Sequence, residues 1–159
     1  MSFKAFLIEQ NEGKISSRFV DMEEGQLDAG EVTIAVAWSG VNYKDALAAT
    51  GAGRIVRGFP CVGGLNLAGT VVKSDSPDFQ PGDAVLATSY DIGVAHHGGY
   101  AELARIPAPW VRKLPPGLDL REAMALGTAG FTAGLAVARM EHNGLRPANG
   151  PVVVSGATG

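Results

Sequence analysis

The sequence predicts an α+β chain in which a β-rich barrel or sandwich comes first, then a helical stretch, then the opening strand of an α/β unit. Three observations carry this. Short apolar runs with period-two alternation, separated by turn residues, recur up to about residue 115. The tripeptide Pro115-Pro116-Gly117 then marks a change to helical spacing. Finally, Val152-Val153-Val154, between Pro151 and Ser155, is a β-branched run of the kind that forms a short buried strand.

In order, Phe3 to Ile8 reads as a strand and Ile15 to Val20 as its hairpin partner, with a polar turn from Glu9 to Lys14. Val32, Ile34, Val36 and Trp38 alternate with smaller or polar residues, the pattern of a half-buried strand. Ser39-Gly40 breaks it, and Asn42 to Ala49 predicts a short helix. Leu67 to Val72 and Ala84 to Ala87 are two further strands. Ser76-Pro77-Asp78 and Gln80-Pro81-Gly82-Asp83 join them as turns. Tyr100 to Arg105 and the nearby Trp110-Val111 complete the β-rich part. Asp119 with Glu122 forms a capping-box pattern ahead of a helix from Leu120 to Ala125. A second helix is predicted from Phe131 to His142, with Phe131, Leu135, Ala138 and His142 on one stripe and Gly144 as its stop. The valine strand ends in Gly156-Ala157-Thr158-Gly159. A glycine turn there lets a backbone approach a pyrophosphate, although Gly-x-x-Gly is also an ordinary turn.

Composition narrows the function classes. The 22 glycines among 159 residues are about twice the average share and favour turns and short strands over a helical bundle. A net charge of −3 without a basic run argues against nucleic acid. The apolar runs read as too short to span a bilayer. The single Cys61 excludes an internal disulfide framework and points to a reducing, cytoplasmic setting. Cys61 itself reads as a small hydrophobe.

Several motifs occur in a fixed order: Phe79-Gln80-Pro81-Gly82-Asp83, Gly98-Gly99-Tyr100-Ala101-Glu102, and Gly127-Thr128-Ala129-Gly130-Phe131-Thr132-Ala133, ahead of the valine strand. In them the chain resembles the medium-chain dehydrogenase/reductase superfamily. Asn42-Tyr43-Lys44-Asp45-Ala46-Leu47 followed by Phe59-Pro60 resembles its acrylyl-CoA reductase branch, the YhdH-type quinone oxidoreductases. The resemblance implies a β-rich GroES-like (α+β) barrel as catalytic domain over residues 1–117. Residues 118–159 would then hold connecting helices and the first strand and glycine turn of a truncated Rossmann α/β domain. It further implies NADPH as cofactor and an enoyl-CoA, quinone or enone as small-molecule substrate. The full-length protein would be a homodimer. On this reading the chain stops within the first Rossmann turn. By itself it would be an inactive fragment, with its valine strand lacking parallel neighbours.

The resemblance also bears on metal. In the zinc-dependent alcohol dehydrogenases the catalytic ion sits at positions matching Asn42, Leu65 and Thr128. Leucine cannot ligate, and neutral Asn and Thr are poor zinc donors, so no metal site is expected. The adjacent His96 and His97 have no third soft ligand near them in sequence and read as a loop pair with a hydrogen-bonded ring. Polarisation of the substrate then falls to hydrogen bonds. By resemblance the catalytic candidates are Asn42, Tyr43, Asp45 and Asn66. Thr128 and Thr132, with Gly156, Ala157, Thr158 and Gly159, are the cofactor candidates. Plain alternatives stand beside these roles: a helix-stabilising carboxylate for Asp45, a packed aromatic for Tyr43, a helix cap for the threonines. Two departures bear on the proton donor and the substrate. Gly63-Gly64-Leu65-Asn66 stands where relatives show Pro-Gly-Ile-Asp, and Tyr90-Asp91 replaces a Trp-Gly. The alternatives to an enoyl thioester reductase are a quinone or enone oxidoreductase and a non-catalytic GroES-like interaction module.

Overall fold

A computed structural model describes residues 2–156, which divide into two compact units at Thr128/Ala129. The first unit holds all the sheet. β1 (Ser2–Asn11) and β2 (Lys14–Glu23) form the expected antiparallel hairpin, with Phe6 opposite Phe19. Its two-residue turn, Glu12-Gly13, has both φ angles positive (50° and 80°), the twist that suits a tight hairpin. The short β4 (Cys61–Val62) adds to the other edge of β1, giving the order β2-β1-β4. Two residues are too few to show an alternation, so the sequence pattern does not reveal this strand.

The second sheet is antiparallel throughout. It contains β3 (Val32–Trp38), β5 (Asn66–Ser74), β6 (Ala84–Thr88), β7 (Leu103–Ile106) and β8 (Val111–Lys113), in the order β7-β3-β5-β6-β8. Val32, Ile34, Leu67, Val71, Val85 and Ile106 close its core, all at most 1% exposed. The alternation predicted for β3 holds at Val32 and Ile34. A bulge between Val36 and Trp38 then resets it, leaving Trp38 half exposed. β3 and β5 come so close that a Cβ on Gly69 would lie 2.1 Å from the Ala35 carbonyl oxygen, so only glycine fits there.

The strand expected from Tyr100 begins only at Leu103, because Tyr100 to Glu102 bond to the first sheet instead. Tyr100 O accepts from Phe6 N at 2.7 Å, and Glu102 N donates to Lys4 O at 2.9 Å. Glu102 O accepts from Val36 N at 3.0 Å, so this segment stitches the two sheets into a barrel-like wall.

The helices follow their local signals. α1 (Tyr43–Thr50) starts after Asn42 and ends at Gly51, whose φ of 71° is the left-handed stop. The capping box at Asp119 is formed: Glu122 N donates to Asp119 Oδ1 (2.7 Å) and Asp119 N to Glu122 Oε2 (2.9 Å). The two predicted helices are one run, α2 (Leu120–His142), interrupted only at Gly127 (φ 49°, ψ −152°). The gap expected from 126 to 130 thus narrows to one residue, since a single glycine in that conformation suffices to break the run. α2 is long and apolar enough to pass for a membrane span by length and composition. The break leaves two pieces, each shorter than the roughly 20 residues a span needs.

In the second unit the helix ends as expected at Gly144 (φ 93°), with Leu145 N donating to Met140 O at 3.0 Å. A 3-10 turn (Pro147–Asn149) follows. Val152–Val154 join no strand ladder, and Val153 is 91% exposed, because no other described segment offers them a hydrogen-bonding neighbour.

Candidate active site

Two hydrogen-bond clusters in the first unit bring together four of the residues singled out by sequence, Asn42 with Asp45 and Asn66 with Thr128. The first surrounds the start of α1. Asp45 is 5% exposed, and its carboxylate takes three donors: Asn42 N at 2.7 Å, Asn42 Nδ2 at 3.1 Å and Leu65 N at 3.0 Å. A buried charge needs this degree of satisfaction. With both oxygens engaged, Asp45 is built as an anchor that fixes α1 against Leu65. Asn42 caps the helix and points its amide at the same carboxylate. Tyr43, the next residue, is 80% exposed and belongs to neither cluster.

The second cluster centres on Asn66, which is 1% exposed at the start of β5. Its Oδ1 accepts from Gly40 N at 2.9 Å, and its Nδ2 donates to Thr128 Oγ1 at 3.3 Å. Thr128 Oγ1 also lies 2.8 Å from Thr88 Oγ1, so two hydroxyls and an amide form a continuous polar chain. Gly127 belongs to the same contact: a Cβ there would come within 2.9 Å of Asn66 Nδ2. The break in α2 therefore allows Thr128 to meet Asn66.

Sequence reasoning missed three participants. Ser39 Oγ donates to Asn66 O at 2.6 Å, and Thr88 extends the hydroxyl chain. Tyr100 donates its hydroxyl to Gly40 O at 3.2 Å and packs over Gly63 and Gly64. Burial, and then the neighbouring Asp45 carboxylate, hold the Tyr100 phenol above its ordinary range, so it remains a protonated donor. A signal for Tyr100 was available in its place directly after Gly98-Gly99. A Cβ on Gly98 would meet Gly64 O at 2.3 Å, so the glycines admit the backbone contact that seats the tyrosine.

Beside these clusters lies a cavity of about 330 Å³, lined by Lys44, Arg54, Arg57, Leu65, Tyr90 and Thr128 among others. Leu65 and Thr128, two of the positions matched to zinc ligands, therefore face one space. Ser89 and Tyr90 on its rim both hold positive φ (68° and 51°), a strained pair of non-glycine residues. Tyr90 stacks on Trp110 with ring centroids 5.2 Å apart, and Asp91 pairs with Arg57. A larger depression of about 530 Å³, lined by Phe6, Phe19, Val36, Trp38, Ser39 and Tyr100, is mostly apolar.

His96 and His97 are buried and bound as a loop pair. His96 Nε2 lies 2.9 Å from Ala29 O, and His97 N donates to Asp28 Oδ2 at 2.6 Å. No group of three His, Cys, Asp or Glu side chains with metal-binding spacing occurs among the described residues. Cys61 is buried, and desolvation, then Asp28, push its thiol up to about 12. Thr132 lies in the second unit on α2. Gly156 is described, with φ 69° and no described atom within 4 Å of a Cβ added there, whereas Ala157, Thr158 and Gly159 lie outside the described residues.

Residues 28–116 match the alcohol dehydrogenase GroES-like domain. The chain belongs to that family and, within the medium-chain dehydrogenases/reductases, to the branch of the acrylyl-CoA reductases and quinone oxidoreductases. It is 46% identical over 159 residues to the acrylyl-CoA reductase AcuI of Ruegeria pomeroyi, spanning 99% of this chain and 48% of that protein. Among solved structures it is similar to the yhdH oxidoreductase of Salmonella enterica in complex with NADP (50% identity, TM-score 0.93, 98% of this chain and 48% of that one). It is also similar to Bacillus subtilis yhfP with NAD bound (47% identity, TM-score 0.93, 100% and 48%). The chain thus spans about half the length of the relatives it matches. The β-rich unit described above contains the residues that match the GroES-like domain.

Proposed function

We propose that this chain carries the substrate-handling half of a nicotinamide-dependent, zinc-independent reductase acting on the activated C=C of an enoyl thioester such as acrylyl-CoA. The supporting observation is the Asn66–Thr128–Thr88 polar chain beside a cavity where Leu65 and Thr128 stand at zinc-matching positions. Similarity to relatives with NADP or NAD bound supports the cofactor class, and NADPH is the form we assign. Within this chain the residues fit such a group in part. Thr128 lines the cavity, and Gly156, whose φ of 69° is left-handed, suits close backbone approach to a pyrophosphate. Thr132 and Ala157 to Gly159 complete the residues assigned to it. When bound, the nicotinamide supplies hydride to the β-carbon of the substrate.

This chain's groups handle the rest. Asn42 and the Thr128 hydroxyl are the neutral donors assigned to the thioester oxygen, which gains negative charge as the β-carbon is reduced. Asp45 and Asn66 position them, since both are buried with their polar atoms engaged. The resulting enolate takes a proton at its α-carbon. Tyr43, with an exposed hydroxyl at the start of α1, is the donor we assign, itself reprotonated by water. We read the full-length protein as a cytoplasmic homodimer without nucleic-acid or membrane partners.

The test uses the full-length protein. Oxidation of NADPH should be faster with acrylyl-CoA than with a quinone, and elemental analysis should show no stoichiometric zinc. Preference for the quinone would move the assignment to the oxidoreductase alternative. One tightly held zinc per chain would overturn the metal-free mechanism, and inactivity on both substrates would favour an interaction module.

A further inference from the structure

α1 and the loop after it place three cations around the cavity that borders Thr128. Lys44 is the second residue of α1, and Arg54 and Arg57 follow once Gly51 has ended the helix. Arg57 is neutralised by Asp91. Lys44 and Arg54 are exposed and join none of the ion pairs among the described residues. No acidic side chain lines the cavity. Arg54 and Arg57 also line an adjoining depression of about 660 Å³, so the cationic wall continues away from the polar chain.

Two uncompensated cations on one concave wall repel each other and focus a positive field into the space between them, an arrangement that an anion relieves. A guanidinium fork and an ammonium together suit phosphate, with Arg supplying paired N–H groups and Lys a point charge. A neutral quinone has no phosphate for either to hold. We infer that Arg54 and Lys44 form a phosphate subsite, which holds the phosphate-bearing carrier of the substrate while its acyl end lies near Leu65 and Thr128. This rests on the reductase reading above and adds to it the residues that would select a phosphorylated thioester over an uncharged acceptor. The nicotinamide cofactor also bears phosphates, so the test must tell the two sources apart.

The variant is Arg54→Gln/Lys44→Gln in the full-length protein; both side chains are exposed and leave the core untouched. For acrylyl-CoA relative to its N-acetylcysteamine thioester, which lacks phosphate, the kcat/KM ratio should fall about tenfold or more. The KM for NADPH should not move, and Arg54→Lys should recover part of the loss. An unchanged ratio would overturn the inference. So would a rise in the NADPH KM alone, which would assign the cations to the cofactor. If the wild-type protein reduces neither thioester, the reductase reading fails separately. Calorimetric titration with coenzyme A then decides the subsite: salt-sensitive binding that the double variant loses supports it, and no binding by the wild type overturns it.

Discussion

The Asn66 side-chain amide donates to Thr128 Oγ1 at 3.3 Å while its carbonyl oxygen accepts from Gly40 N, so one buried residue ties β5 to the approach to α1 and to the broken turn of α2. Asn66→Leu keeps much of the volume and removes both bonds. Stability should drop by about 1–3 kcal/mol in urea unfolding, the usual penalty for orphaned buried polar groups. A double-mutant cycle with Thr128→Val should show coupling of about 0.5 kcal/mol or more. Strict additivity would mean that the contact is incidental.

Asp45 gathers three N–H donors in a buried setting, so Asp45→Ala strands all three at once. We expect a loss of about 2–4 kcal/mol, since hydrogen bonds to charged groups exceed neutral ones. Asp45→Asn keeps an acceptor and should cost less. If Asp45→Ala unfolds at the wild-type denaturant midpoint yet has lost turnover, the carboxylate acts chemically and is no anchor.

His97 sets a pH dependence. Burial first lowers its pKa from the ordinary 6.5, and the Asp28 carboxylate 3.2 Å from Nδ1 offsets part of that shift. A histidine with a depressed folded pKa binds its proton more readily when unfolded. Its contribution is therefore complete above about 6.5 and is lost as pH falls from there through the folded value. Thermal melts between neutral and mildly acidic pH should show the midpoint falling on acidification, with a shallower fall in His97→Gln. A midpoint that rises on acidification would show that Asp28 outweighs burial.

Much of the fold was legible because its signals are local. The hairpin of β1 and β2, the alternation at Val32 and Ile34, and the Asp119/Glu122 cap each depend on residues a few positions apart. What escaped depends on distant partners. β4 exists only because β1 offers an edge, and Trp38 changes face at a bulge. Val152–Val154 have the composition of a strand without the neighbour that makes one. The site divides the same way. Asn42 with Asp45 is a three-residue spacing visible in any sequence, whereas Tyr100 reaches Gly40 from sixty positions away. The motif containing Tyr100 was visible, but its partner was not.

The order of strands in the larger sheet also fixes when that sheet can be assembled. β3 lies between β5 and β7, and its second neighbour, Leu103–Ile106, comes some seventy residues later in the chain. The β1–β2 hairpin is complete at Glu23. During synthesis both strands of the hairpin are therefore available early, whereas β3 lacks its second neighbour until β7 emerges. Closing so long a loop before its contacts form is the entropic step that slows sheets of this kind, relative to helical proteins of equal length.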